Sequence, residues 1–226
     1  MFHNLLQFWK GKGFLNQVLA DFQIMLDDTE KMYRAVCRAL FFREDQPGLS
    51  EKVYSIDQQV NRLEREIRKR VVEHLSVQPS GDVATCLLLM SVVKDAERLG
   101  DYAKNLLEVD KLLQKPLEQR HHYLRVFQQL EGSVAKLFTQ TKKAFIESDE
   151  KIAAETWNVE RTILKRCEEI IEGVAQSTDL TANEAACFVL IARYFKRITA
   201  HLANIATSVI LPLSDLDYFD ERRRGE

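Results

Sequence analysis

Glu97 and Asp101 stand four residues apart in the stretch KDAERLGDYAKNL (Lys94–Leu106), a spacing that puts both carboxylates on one face of a helix. Two carboxylates so placed, partly removed from water, repel each other unless a metal cation or a basic side chain sits between them. A partner segment lies upstream. If the two segments flanking Pro79 form an antiparallel hairpin, Asp57 faces Asp101, Asn61 faces Glu97 and Glu64 faces Lys94. Asp57, Asn61, Glu97 and Asp101 then converge between two helices. An all-oxygen donor set suits hard cations such as Mg²⁺, Ca²⁺ or Mn²⁺ and tolerates iron. The same residues equally suit a salt-bridge network in which Arg98 or Lys94 neutralises the acids, and spacing alone leaves both readings open.

Other reactive residues offer less. Glu118-x-x-His121 has the spacing of one di-iron ligand pair, but such bundles need two pairs on different helices and the chain holds one. His3, His74, His122 and His201 show no metal spacing and are expected at polar or half-buried positions. No G-x-x-x-x-G-K-[ST], G-x-S-x-G or G-x-G-x-x-G occurs, so nucleotide binding and triad hydrolysis have no support. Cys37, Cys86, Cys167 and Cys187 are widely spaced with no C-x-x-C pair, which reads as reduced core thiols of a cytoplasmic protein.

The elements that must hold these residues are helical. Glycine and proline together supply only 12 of 226 residues, too few for the turns of a β or α/β fold. Breaks fall at Pro47-Gly48, Pro79-Ser80-Gly81, Pro116, Ser148-Asp149, Ser177–Thr181 and Pro212. Six segments of roughly 25–30 residues lie between, each about 40 Å long as a helix. In the second, Ile56, Val60, Leu63, Ile67, Val71 and His74 recur every three or four residues, while Arg62, Arg65, Arg68, Lys69 and Arg70 alternate with Glu64, Glu66 and Glu73 on a solvated face. The third opens with the apolar run Val83–Val93 and the sixth with Ala185–Ala192, so both are expected to be central and buried nearly all round. Thr181 and Glu184 form a capping box at the start of the sixth.

One central helix after every two amphipathic ones suggests a tandem repeat. Advancing the third segment by 99 residues lays Lys94–Leu106 over Arg193–Ile205, with Arg98 on Arg197, Leu99 on Ile198, Asn105 on Asn204 and Leu106 on Ile205. One irregular six-helix bundle is the alternative. At the positions of Glu97 and Asp101 the second copy holds Lys196 and Ala200, opposite Asn158 and Thr162, so no carboxylate is expected there and a fixed charge replaces any cation.

The stretch Asp57-x-x-Val60-Asn61-x-Leu63-Glu64-Arg65-Glu66-Ile67, followed after a proline turn by Asp95-Ala96-Glu97-Arg98-Leu99-Gly100-Asp101-Tyr102-Ala103-x-Asn105, resembles the PhoU family of phosphate-uptake regulators. Gly100 inside a buried helix adds specificity, because propensity disfavours it. The resemblance covers the whole chain by architecture and the first repeat by motif; Lys196-Arg197-Ile198-Thr199-Ala200 departs from the family's acidic pair. It implies metal at Glu97 and Asp101, with Asp57 and Asn61 as further ligands. It also implies a non-enzymatic regulator of phosphate transport and phosphate-starvation signalling that contacts a phosphate-transporter subunit or a membrane sensor kinase.

Together these readings give an all-α fold of two tandem antiparallel three-helix bundles. The expected bounds are an N-terminal extension over 1–13, repeats over 14–115 and 116–212, and a polar tail over 213–226. A divalent metal or iron is expected at the first repeat only. Basic and acidic residues nearly cancel, 32 against 34, which argues against nucleic acid. No apolar run reaches the ~18 residues of a membrane span, and the opening is too short and polar for a signal peptide. Phe2, Leu5, Leu6, Phe8 and Trp9 with Lys10 and Lys12 suit either packing on a helix or dimer partner, or a peripheral membrane contact. A cytoplasmic homo-oligomer is therefore expected. A metal-dependent enzyme acting on a phosphoester, and a purely structural scaffold, are the alternatives to the regulator; no activated Ser, Cys or His neighbours the acids.

Overall fold

The computed structural model describes residues 13–78, 83–114 and 122–216. Six helices fill them: α1 (Gly13–Phe42), α2 (Leu49–Val77), α3 (Val83–Leu112), α4 (His122–Glu147), α5 (Glu150–Gln176) and α6 (Ala182–Thr207), followed by a 3₁₀ turn at Leu213–Asp215. No strand occurs among the described residues. The turns at Pro79 and Pro116, the Glu118/His121 pair, the aromatic segment before residue 13 and the tail beyond residue 216 lie outside them.

Local chemistry accounts for the ends. Arg43 and Gly48 take φ values of 54° and 72°, and this left-handed backbone turns the chain between α1 and α2. Ser148, at φ 55°, does the same between α4 and α5, where the Asp149 side chain accepts from the Ile152 amide at 2.9 Å. At α6 the capping box is complete: the Glu184 amide donates to Thr181 Oγ1 at 3.2 Å and the Thr181 amide to Glu184 Oε2 at 2.9 Å.

The helices α1–α3 pack as one antiparallel bundle and α4–α6 as another, and the bundles meet through α3 on α6 and α1 on α4. Expecting one central helix per repeat was therefore too narrow, because α1 and α4 belong to the shared core as well. Aromatic bulk is the reason. Phe22 meets Phe145 at 4.8 Å, Tyr33 meets Phe138 at 5.4 Å and Phe41 meets Phe127 at 5.7 Å, so α1 and α4 run antiparallel. Phe195 of α6 closes this seam against Tyr33, Phe41 and Phe127. These large, fully buried rings carry much of the apolar area that holds the repeats together.

The third helix corrects a second expectation. Cys86, Leu88, Leu89, Val92 and Val93 are buried, but Val83 and Leu87, one turn apart on a single line of the helix, are 43% and 48% exposed. Leu190 in α6 is half-buried. A charge at Leu87 would reach water, so the apolar run marks a helix buried on most faces but not all. All four cysteines are buried and none forms a disulfide, and burial pushes Cys167 up to about 12.

The contacts of α3 with α6 exchange under the 99-residue shift. Asp95 and Tyr102 advance onto Tyr194 and His201; Asp95 Oδ1 lies 2.7 Å from His201 Nδ1, and Tyr102 lies 5.9 Å from Tyr194, ring to ring. Tyr102 and His201, each other's counterparts, stack at 5.6 Å. Such exchanged contacts are what a two-fold relation between the copies produces.

Candidate functional site

α2 and α3 bring the predicted site residues together, in nearly the expected register. Asp57, buried on α2, lies beside Gly100 and Asp101 of α3: a Cβ on Gly100 would fall 3.9 Å from Asp57 Oδ1. Asp57 and Asp101 do not meet directly. Lys104, one turn beyond Asp101, places its ammonium between them, 3.1 Å from Asp57 Oδ2, 3.2 Å from Asp57 Oδ1 and 3.1 Å from Asp101 Oδ1. Burial works against the charge on Lys104, but hydrogen bonds to Asp101 and Asp57 outweigh it and raise its pKa. Arg98 donates to the other Asp101 oxygen at 3.0 Å and approaches Glu97 at 3.7 Å.

Asn61 donates a long 3.4 Å bond to Asp57. Glu64 pairs with Arg68 at 2.9 Å instead of Lys94, because an i,i+4 partner on its own helix is nearer than one across the groove. Glu97 keeps the weakest counter-charge. Its burial, with Asp101 and Glu64 close by, pushes it up to about 7, with Arg98 opposing.

This donor set, as placed, does not fit a metal ion. Among the described residues no three His, Cys, Asp or Glu side chains converge to hold one, and the point between Asp57 and Asp101 belongs to Lys104. Lys104 is the residue of this cluster that sequence reasoning passed over. Its signal was available, since position i+3 from Asp101 lies on the same helix face.

In the second repeat Asn158 and Thr162, expected opposite Lys196 and Ala200, face outward from α5 instead, and Thr162 Oγ1 donates to the Asn158 carbonyl at 3.0 Å. Lys196 does not stand alone: it pairs with Glu168 of α5 at 2.7 Å, a partner outside the four positions expected to face one another. The His201–Asp95 pair between repeats was also unforeseen.

Comparison with known proteins agrees with this duplicated architecture. The PhoU domain matches residues 22–109 and again 127–209. The chain is 25% identical over 167 residues to the phosphate-specific transport system accessory protein PhoU homolog 1 of Thermotoga maritima, covering 72% of each. It is 20% identical over 180 residues to a PhoU homolog of Clostridium acetobutylicum, covering 77% of this chain and 81% of that one. PhoU from Pseudomonas aeruginosa has the same fold, with a TM-score of 0.78 and 24% identity over 87% of this chain and 95% of that one. The phosphate transport system regulatory protein PhoU of Streptococcus pneumoniae follows at 0.76 and 15% identity, over 90% and 95%. With both of its repeats matched, the chain belongs to the PhoU family.

Proposed function

We propose that this chain is a non-enzymatic accessory protein of phosphate transport, acting from the cytoplasmic side to restrain import and phosphate-starvation signalling. The observation that carries the reading is the match of both repeats to PhoU, on relatives named as accessory proteins of a phosphate-specific transport system. The site geometry supports it. The first-repeat carboxylates are held by Lys104 and Arg98 from their own helix, an arrangement that braces α2 against α3 and does not activate a nucleophile. No described helix is long and apolar enough to cross a membrane, so the chain reaches a transporter by docking, to a transporter subunit or to a membrane sensor kinase.

The test is made in the organism that carries the chain. Removing it should raise phosphate uptake and starvation-gene expression in phosphate-rich medium, and full-length protein recovered from detergent-treated membranes should bring down a transporter ATPase subunit or a sensor kinase. Unchanged uptake, with neither partner recovered, would overturn the reading.

A further inference from the structure

The repeats finish one end of their matched helices differently. Advancing α2 by 103 residues sets its buried Val53, Val60, Ile67 and Val71 on the equally buried Thr156, Ile163, Ile170 and Val174 of α5, and the 99-residue shift relates α3 to α6. Under these shifts Val72, Val83 and Leu87, all exposed, fall on Ala175, Ala182 and Ala186. The first repeat holds three large apolar side chains in water where the second holds only methyl groups. They share one groove. Val72 lies five full turns along α2 from Tyr54, whose hydroxyl donates to Glu108 of α3 at 3.4 Å, so both lie on the side of α2 that looks toward α3. Leu87 and Val83 continue the line of Asp101 along α3, and the register that sets Lys111 on Ser50 and Lys104 on Asp57 brings Val72 within a turn of Leu87. Leu75 and Met90 pack on the core beside them. Two helices thus wall an apolar end of the groove that holds the ion cluster.

We propose that this apolar end is the docking site of residues 1–12 of the same chain. The occupant follows from its sequence and from where α1 begins. Phe2, Leu5, Leu6 and Trp9 are spaced i, i+3, i+4 and i+7, the anchor pattern of an amphipathic helix laid in an apolar groove. Arg70 lies 3.9 Å from Asp21, and eight residues back along α1 bring Gly13 level with Gln78, at the tip of the α2–α3 hairpin beside Val83. Gly11 precedes that point by two residues and gives the chain a place to turn. Residues 10–12 span up to ~10 Å, enough to pass one helix and reach the outer face. The second repeat has neither half of the arrangement. Residues 113–121, ahead of α4, hold Leu113 and Leu117 as their only large apolar side chains, and the groove positions there are alanine. Surplus apolar residues on the segment and on the groove occur in the same repeat and at the same end. This inference does not depend on the accessory-protein reading.

The 226-residue chain labelled with 5-fluorotryptophan gives two fluorine signals, and Trp9→Phe assigns the one from Trp9. That signal should stand apart from the signal of a synthetic peptide of residues 1–12, and a soluble gadolinium chelate should broaden it less than the peptide's. Val72→Asp with Leu87→Asp should move it to the peptide's position and remove the shielding, whereas Ala175→Asp with Ala186→Asp should leave both unchanged. All four positions are exposed, so the variants should fold. A Trp9 signal that coincides with the peptide's in the parent chain would overturn the proposal, and so would one that the first double variant leaves in place. A distinct signal that is lost on dilution would assign the groove to a second copy of the chain. A signal that leaves the peptide's position only when phosphatidylglycerol vesicles are added would assign the segment to a membrane surface. Either result also overturns the proposal.

Discussion

The two repeats set the same pair of facing helices against each other and treat charge on them in opposite ways. Between α2 and α3, Asp57 is sunk to 11% side-chain exposure and Asp101 to 25%, and Lys104, at 21%, is drawn in to meet both. Between α5 and α6, Lys196 and Glu168 pair at 34% and 56% exposure, near water. Low dielectric makes the first arrangement strong and also makes it costly to break; water makes the second cheap in both senses. Duplication fixed the scaffold, and side-chain replacement made one copy an internal ion cluster and the other a water-exposed ion pair.

The sharpest way to break this comparison is to remove the cation from each repeat. Lys104→Met leaves Asp57 and Asp101 facing each other without a counter-charge, and should cost about 2 kcal/mol, below the range for fully buried pairs because water reaches Asp101. For a chain of this length that lowers Tm by about 5 °C. Mg²⁺ or Mn²⁺ should recover part of the loss in this variant and add nothing to the parent, whose acids are already paired. Lys196→Met should leave Tm nearly unmoved. Equal losses in the two variants, measured by calorimetry, would erase the distinction between the sites.

A smaller effect concerns Glu97, which has no counterpart among the acids of the second repeat. Its folded pKa of about 7 stands above the ordinary value near 4.5, so the folded chain binds more protons than the unfolded chain between those limits. Stability from this group is therefore present at low pH and lost as pH rises through that window. Glu97→Gln removes the dependence. The unfolding free energy of the variant minus that of the parent should grow between pH 5 and pH 8, by less than about 1 kcal/mol, since solvent screens a group that is only partly buried. A flat difference curve would show that Arg98 already neutralises Glu97.

How far these features were legible follows from what periodicity records. Breaker positions and the Thr181–Glu184 box are local signals, and the helices end where those signals stand. The 99-residue correspondence was legible because matched types recur along α3 and α6, and the exchange of Asp95·His201 with Tyr194·Tyr102 follows from it. Which helix covers an apolar face was not legible. Phe22, Phe41, Phe127 and Phe145 show that α1 and α4 are amphipathic, but only packing shows that they cover each other. Leu87 fails for the same reason: an apolar letter says nothing about whether a neighbour exists on that line of the helix. At the site, the convergence of Asp57 with Asp101 was legible from hairpin register, and the i+3 spacing of Lys104 from Asp101 marked that pair, but the reach of its long side chain across to Asp57 was not legible from its backbone position.

The smallest effect tests how tightly the first repeat needs its helices to approach. Gly100 sits at the level of Asp57, and its counterpart in the second repeat is Thr199, a buried residue with a full side chain. A Cβ at Gly100 would meet Thr29 Cγ2 at 3.5 Å, Met32 Sδ at 3.8 Å and Asp57 Oδ1 at 3.9 Å, all ordinary van der Waals distances. Nothing in that list has to move. Gly100→Ala should therefore stabilise the chain by about 0.5 kcal/mol, most of the helix-propensity gain. Thermal melts of parent and variant decide it. A fall of several degrees would mean that α1, α2 and α3 pack closer around position 100 than these distances allow, and that the ion cluster depends on the missing side chain as well as on Lys104.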